Sequence, residues 1–149
     1  MYKFKQFSLS VLTVLLFAST AFAGGIGYID YQKIQDNYSF AQSAIKEVEN
    51  KGLALQQYLV DKEKEYKSLD TPLKKKSFEQ KITTDFKAKE DAYIKFKLKK
   101  EEEVYNKIQA AAKSVMVEQK LDAILDYRVI FVGGIDVSDL VIEKLKGGK

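Results

Sequence analysis

Two long helical patterns, separated by the one proline in the chain, constrain its fold more than any other feature. From Ile34 onward, apolar or weakly polar residues recur at alternating spacings of four and three: Ile34, Tyr38, Ala41, Ile45, Val48, Gly52, Leu55, Leu59, Lys62, Tyr66, Leu69 and Leu73. Such a heptad-like stripe predicts a single amphipathic helix with weak spots at Gly52 and Lys62. Past "SLDTPLKKKSF" (residues 68–78), a second helical segment runs from Pro72 to about Lys120. Its Ile82, Tyr93, Val104 and Val115 recur every eleven residues, roughly 3.67 per turn, the spacing of a nearly straight seam.

The proline explains the interruption. A residue before proline is pushed out of the α region, so Thr71 is placed as an N-cap whose hydroxyl accepts from the next turn. Pro72 then fits the first helical position, where its missing N–H costs nothing. Thr71 and Pro72 are therefore the turn of an αα-hairpin, its helices about 38 and 48 residues and about 60–70 Å long.

A hairpin of that length brings the two ends of the chain together. Before it lies "GGIGYIDYQ", short, β-prone and glycine-led. After it, "AILDY" and "VIFV" read as two strands, Gly133-Gly134 as a break, and "DLVIEKLK" as a short helix capped by Asp136 or Ser138. The predicted class is α+β in the order β-α-α-β-β-α. A small β body spans 24–33 and 120–146, and a hairpin arm spans 34–119 with its tip near 70–73. So small a body is below the size that usually sustains a core alone, and self-association is the simplest remedy.

Residues 1–23, "MYKFKQFSLSVLTVLLFASTAFA", carry a basic head, an apolar stretch of roughly 11 residues and a small-x-small end at Ala21-Phe22-Ala23. This is the pattern of a cleavable secretory signal peptide, too short to span a bilayer. Cleavage would leave 149 − 23 = 126 residues, read as one unit over 24–149. The absence of cysteine in an exported chain fits a bacterial periplasm better than a disulfide scaffold.

The full chain has a net charge of +4, which falls to +2 without Lys3 and Lys5. That is a poor basis for nucleic-acid binding. With neither histidine nor cysteine, the usual general base, thiol nucleophile and zinc ligands are missing. No catalytic residue, metal ligand or cofactor is expected, and the protein is not read as an enzyme. Carboxylates in runs such as "VDKEKEYKSLD" fit solvated i,i+4 pairing.

Two groups in the arm are candidates for binding. The aromatics Tyr66, Phe78, Phe86, Tyr93 and Phe96 are expected to supply much of the seam, with some left partly exposed. Beside lysine stems they would make an adaptable surface for an apolar, poorly structured client. The second group is basic: Lys67, Lys74, Lys75, Lys76 and Lys81. A run of three is unremarkable among 24 lysines (25 basic residues less Arg128). However, Lys74 to Lys76 fall in the first turn of a helix, where the macrodipole disfavours cations. From Lys64 to Lys87 seven lysines face four acids, a local surplus of +3 at the tip.

Taken in order, "IGYIDYQKI", the helix end "KIQAAAKSV", the strand "LDAILD" and the closing "DVSDLVIEKL" resemble the OmpH/Skp family of periplasmic chaperones. The resemblance is tight at both ends and one of pattern alone in the arm. It implies a homotrimer whose small β body carries three helical arms around a cavity. It also implies ATP-independent holding of unfolded outer-membrane proteins, and contact of the basic tip with an anionic membrane surface or lipopolysaccharide. Lysine replaces the arginine of other members there, which disfavours bidentate phosphate recognition. A structural coiled-coil protein of the envelope is the alternative, and it would call for regular heptads throughout.

Overall fold

The computed structural model describes residues 24–148; the predicted signal peptide at 1–23 lies outside them. A four-residue strand, β1 (Ile26–Ile29), opens the chain. Asp30 then caps a short helix, α1 (Tyr31–Asp36), its carboxylate accepting the Lys33 N–H at 3.0 Å. The arm follows as α2 (Ser39–Ser68) and α3 (Pro72–Glu118), 30 and 47 residues, or about 45 and 70 Å long. Returning to the body, the chain forms β2 (Ala123–Asp126), a 3-10 turn (Tyr127–Val129), β3 (Ile135–Asp136) and α4 (Ser138–Gly147).

All three strands are parallel, and β1 is central in the order β2-β1-β3. Ile26 pairs with Ala123 and Gly27 with Ile135, so the sheet joins residues about a hundred positions apart. Its formation depends on the hairpin delivering the chain back to its start.

Three expectations are corrected. The first arm helix is not continuous over 38 residues but breaks at Asn37-Tyr38. The Asn37 side chain donates to the Lys33 carbonyl at 2.8 Å, and its backbone N–H turns to Ile34 O at 3.2 Å. The helical ladder loses its next acceptor, and Tyr38 is extended (φ −114°, ψ 108°) before α2 restarts. The seam also differs from the stripe by one residue in two places. Ala44 is buried while Ile45 is 40% exposed, and Tyr58 is half-buried while Leu59 is 41% exposed. Small Ala41, Ala44 and Ala111 let the helices approach closely at the root, which favours alanine over the bulkier isoleucine beside it.

The third correction concerns "VIFV", which is not a strand. Asp126 accepts the Arg128 N–H at 2.9 Å and holds the chain in the 3-10 turn. Val129, Phe131 and Val132 then run exposed, and β3 begins only after Gly133 and Gly134. Both glycines have positive φ, +83° and +88°. Gly134 also passes so close to β1 that an added Cβ would lie 3.0 Å from the Tyr28 ring.

The eleven-residue set in α3 faces inward as read, with Val104 and Val115 buried and Ile82 and Tyr93 half-buried. Full burial is confined to the body and the root of the arm, where Ile34, Ala41, Val104, Ile108, Val115, Val137 and Val141 meet. Toward the tip the seam is only half-buried. At the foot, Ser138 is fully buried: its hydroxyl accepts the Asp30 N–H at 2.9 Å and donates to Asp136 at 2.6 Å. Lys33 reaches Asp139 at 2.8 Å. These bonds tie the start of α1 to the start of α4.

Candidate functional site

Thr71 is the N-cap of α3, extended at φ −124° and ψ 146°, and its hydroxyl accepts the Lys74 N–H at 3.4 Å. Pro72 occupies the first turn, and α2 closes with the Leu69 N–H on Tyr66 O.

The lysines divide. Lys67 pairs with Glu63 at 2.6 Å and Lys74 with Asp70 at 2.9 Å, and the Lys74 ammonium holds the Asp70 carboxyl below its ordinary pKa. Lys75 lies 5.3 Å from the centre of the Tyr66 ring. Lys76 and Lys81 are exposed and make no ion pair among the described residues. Part of the apparent surplus is thus absorbed locally. The unfavourable dipole at Lys74 is met by Asp70 one turn back.

The aromatics face the seam. Tyr66 and Phe78 lie 6.3 Å apart with rings tilted by 41°, and a hydrogen bond to Glu79 is the main cause raising the Tyr66 hydroxyl pKa. Phe86, Tyr93 and Phe96 are likewise half-buried. Gly52 makes room for Tyr93, whose hydroxyl would stand 3.3 Å from an added Cβ. Cations close the ring faces: Lys51 and Lys100 sit 4.5 and 5.5 Å from Phe96, Lys89 4.9 Å from Tyr58, and Lys62 5.8 Å from both Tyr58 and Phe78. Lys62 is thus no gap in the stripe. Its stem packs in the seam while its ammonium meets Glu65 at 2.5 Å. Seven such ring–cation contacts occur among the described residues.

The apolar side chains that face solvent on the arm are others. On α2 they are Ile45, Leu53, Leu59 and Val60; on α3 they are Leu73, Ile94, Leu98, Tyr105 and Val117. Ile45 and Leu59 belong to the stripe read along the first helix, but they turn outward, while Leu98, Tyr105 and Ala112 stand seven apart as a second row on α3. On the body a second apolar patch is open. Phe131 is fully exposed, with Val129, Val132 and Ile135 exposed beside it. Among the described residues no group of histidine, cysteine, aspartate or glutamate converges where it could hold a metal ion, and no helix is long and apolar enough to cross a membrane.

A three-stranded parallel body bearing one long, wet helical hairpin defines a class of arm-bearing α+β proteins. Within it, the model of the OmpH-like outer membrane protein family matches residues 25–145, and the chain belongs to that family. A crystal structure from Caulobacter crescentus CB15, of a protein described as an OmpH-like outer membrane chaperone, is similar at 16% identity. The match covers 82% of this chain and 83% of that one, at a TM-score of 0.39. No curated protein matches the sequence.

Proposed function

We propose that this protein is an ATP-independent holdase of the periplasm, exported by cleavage of residues 1–23. In this reading it binds unfolded outer-membrane proteins and keeps them from aggregating, with no enzymatic step. The observation that carries the reading is the arm itself. Beyond its root it has no fully buried residue among those described, yet it displays Ile45, Leu53, Val60, Ile94 and Leu98 between solvated ion pairs. A spacer has no use for such side chains, whereas a surface making many weak apolar contacts does. Membership of the OmpH-like family supports the same reading.

The working form is a homotrimer. β3 is an open edge of the three-stranded sheet, and the exposed Val129–Val132 segment that leads into it suits pairing with a second copy. Lys76 and Lys81, with what remains of Lys67, Lys74 and Lys75, would face an anionic membrane surface or lipopolysaccharide. The test mixes the mature protein, residues 24–149, with a porin diluted from urea and follows light scattering. Suppression at an excess of trimer over porin is expected. Unchanged aggregation would overturn the proposal and leave the structural coiled-coil reading.

A further inference from the structure

Helix α3 carries two apolar stripes. One, through Tyr93, Val104, Ile108 and Val115, packs into the seam and the body. The other lies about a quarter-turn around the helix and runs Ile94, Leu98, Tyr105, Ala112, Met116. Its outer members are 47%, 59% and 52% exposed. At the root this stripe opens into a groove of about 500 Å³ between α3 and β2, floored by Ile29, Tyr31, Ile108 and Ile124. A recess of about 600 Å³ shares Tyr31, Tyr105 and Asp126 and continues the groove toward Leu98.

The rim of this groove is acidic in a chain that is otherwise basic. Glu101, Glu102, Asp122 and Asp126 stand against Lys113 and Arg128, a balance of −4 + 2 = −2, where the whole chain is +4. Arg128 is already engaged by Asp126 at 2.7 and 2.8 Å. Lys97 approaches Glu101 only to 3.8 Å, and Glu102 has no ion pair among the described residues. Burial, and then the neighbouring Tyr105 and Glu101, raise the Tyr31 hydroxyl pKa above its ordinary value.

We propose that this groove is a client-binding surface selective for extended segments in which large apolar side chains alternate with lysine or arginine. Alternate residues of an extended chain point to opposite sides, so one set enters the apolar floor while the other reaches the carboxylate rim. The assignment rests on the holdase reading and adds a preferred client chemistry to it. It also moves the contact away from Tyr66, Phe78, Phe86, Tyr93 and Phe96, which the seam and its lysines already occupy.

The test uses the mature protein and two fluorescein-labelled twelve-residue peptides, leucine and tyrosine alternating with arginine in one and with glutamate in the other. Anisotropy should show the arginine peptide binding about fivefold or more tightly at low salt, with the margin shrinking as salt screens the rim. The paired change Glu101→Gln and Glu102→Gln should erase that margin. Leu98→Ser with Tyr105→Ser, at exposed positions that leave the fold intact, should weaken both peptides by about fivefold or more without changing the light-scattering mass. Equal binding of the two peptides overturns the assignment, as does unaltered binding by the serine variant. A fall in mass for that variant also overturns it, since a second copy would then be the occupant. Porin dispersal by the unaltered protein is measured in parallel. If dispersal fails, the holdase reading fails; if it succeeds while the peptide outcomes go wrong, only the groove assignment falls.

Discussion

At the scale of single residues, the foot of the arm depends on Ser138. Its hydroxyl is the acceptor for the Asp30 N–H and the donor to Asp136, with no exposure to water. Ser138→Ala would leave a partly buried N–H unpaired, at a cost of about 1–3 kcal/mol. At fixed protein concentration its urea midpoint should fall at every pH. Asp136 adds a pH dependence of known sign. The bond from Ser138 is the largest cause holding its carboxyl below the ordinary value of 3.8. A depressed folded pKa stabilises the fold above the unfolded value and loses that contribution as pH falls through the folded one. The midpoint should therefore drop on acidification below about pH 4. Asp126, held down to about 2 by Arg128, adds a further loss of the same sign. Asp136→Asn should lower the neutral midpoint and flatten the acid slope without abolishing it. A slope as steep as that of the unaltered protein would show that Asp136 is not linked to folding.

At the scale of elements, the tip and the root should respond differently. Thr71→Ala removes an N-cap worth about 0.5–1 kcal/mol. The tip lies far from the buried cluster at Ala41 and Val104, so the loss should stay local. Amide exchange at Lys74 and Lys75, whose N–H groups bond to Thr71, should quicken up to about fivefold, with the global urea midpoint unchanged. A falling midpoint would mean that the tip belongs to the cooperative unit. The same contrast explains what could be read beforehand. Thr71-Pro72 and the long apolar periods are local signals, and the hairpin was legible from them. The break at Asn37 was not, because a helix-compatible stripe runs through Ile34 and Tyr38 while one side chain takes a carbonyl. Nor was the choice of Ala44 over Ile45, which depends on how closely the partner helix approaches. "VIFV" has strand composition, but Asp126 and two left-handed glycines redirect it. Among the candidate site residues, the aromatics and lysines were chosen by residue type alone. Their mutual engagement across the seam could not be seen without the partner helix.

At the scale of the whole molecule, the apolar patch on the body stands open in the single chain. Phe131 and Val132 touch little within the chain, so Phe131→Asp with Val132→Asp should leave the hairpin's helical content intact. If copies meet there, the mass by light scattering should fall from trimer to monomer at micromolar concentration. Body stability should fall with it, because three short strands are marginal alone. An unchanged mass would place the contact elsewhere.

The parallel sheet also has a consequence for the order of events as the chain folds. β1 cannot pair until residues about a hundred positions later are present, so the body has high contact order although most of the chain is local helix. Closing that separation as a loose loop would cost conformational entropy before any strand contact formed. The hairpin removes most of that cost by zipping from Thr71-Pro72 toward the root and bringing the two ends together. A turn that closes more slowly, although it lies farthest from the sheet, should therefore delay the sheet as well.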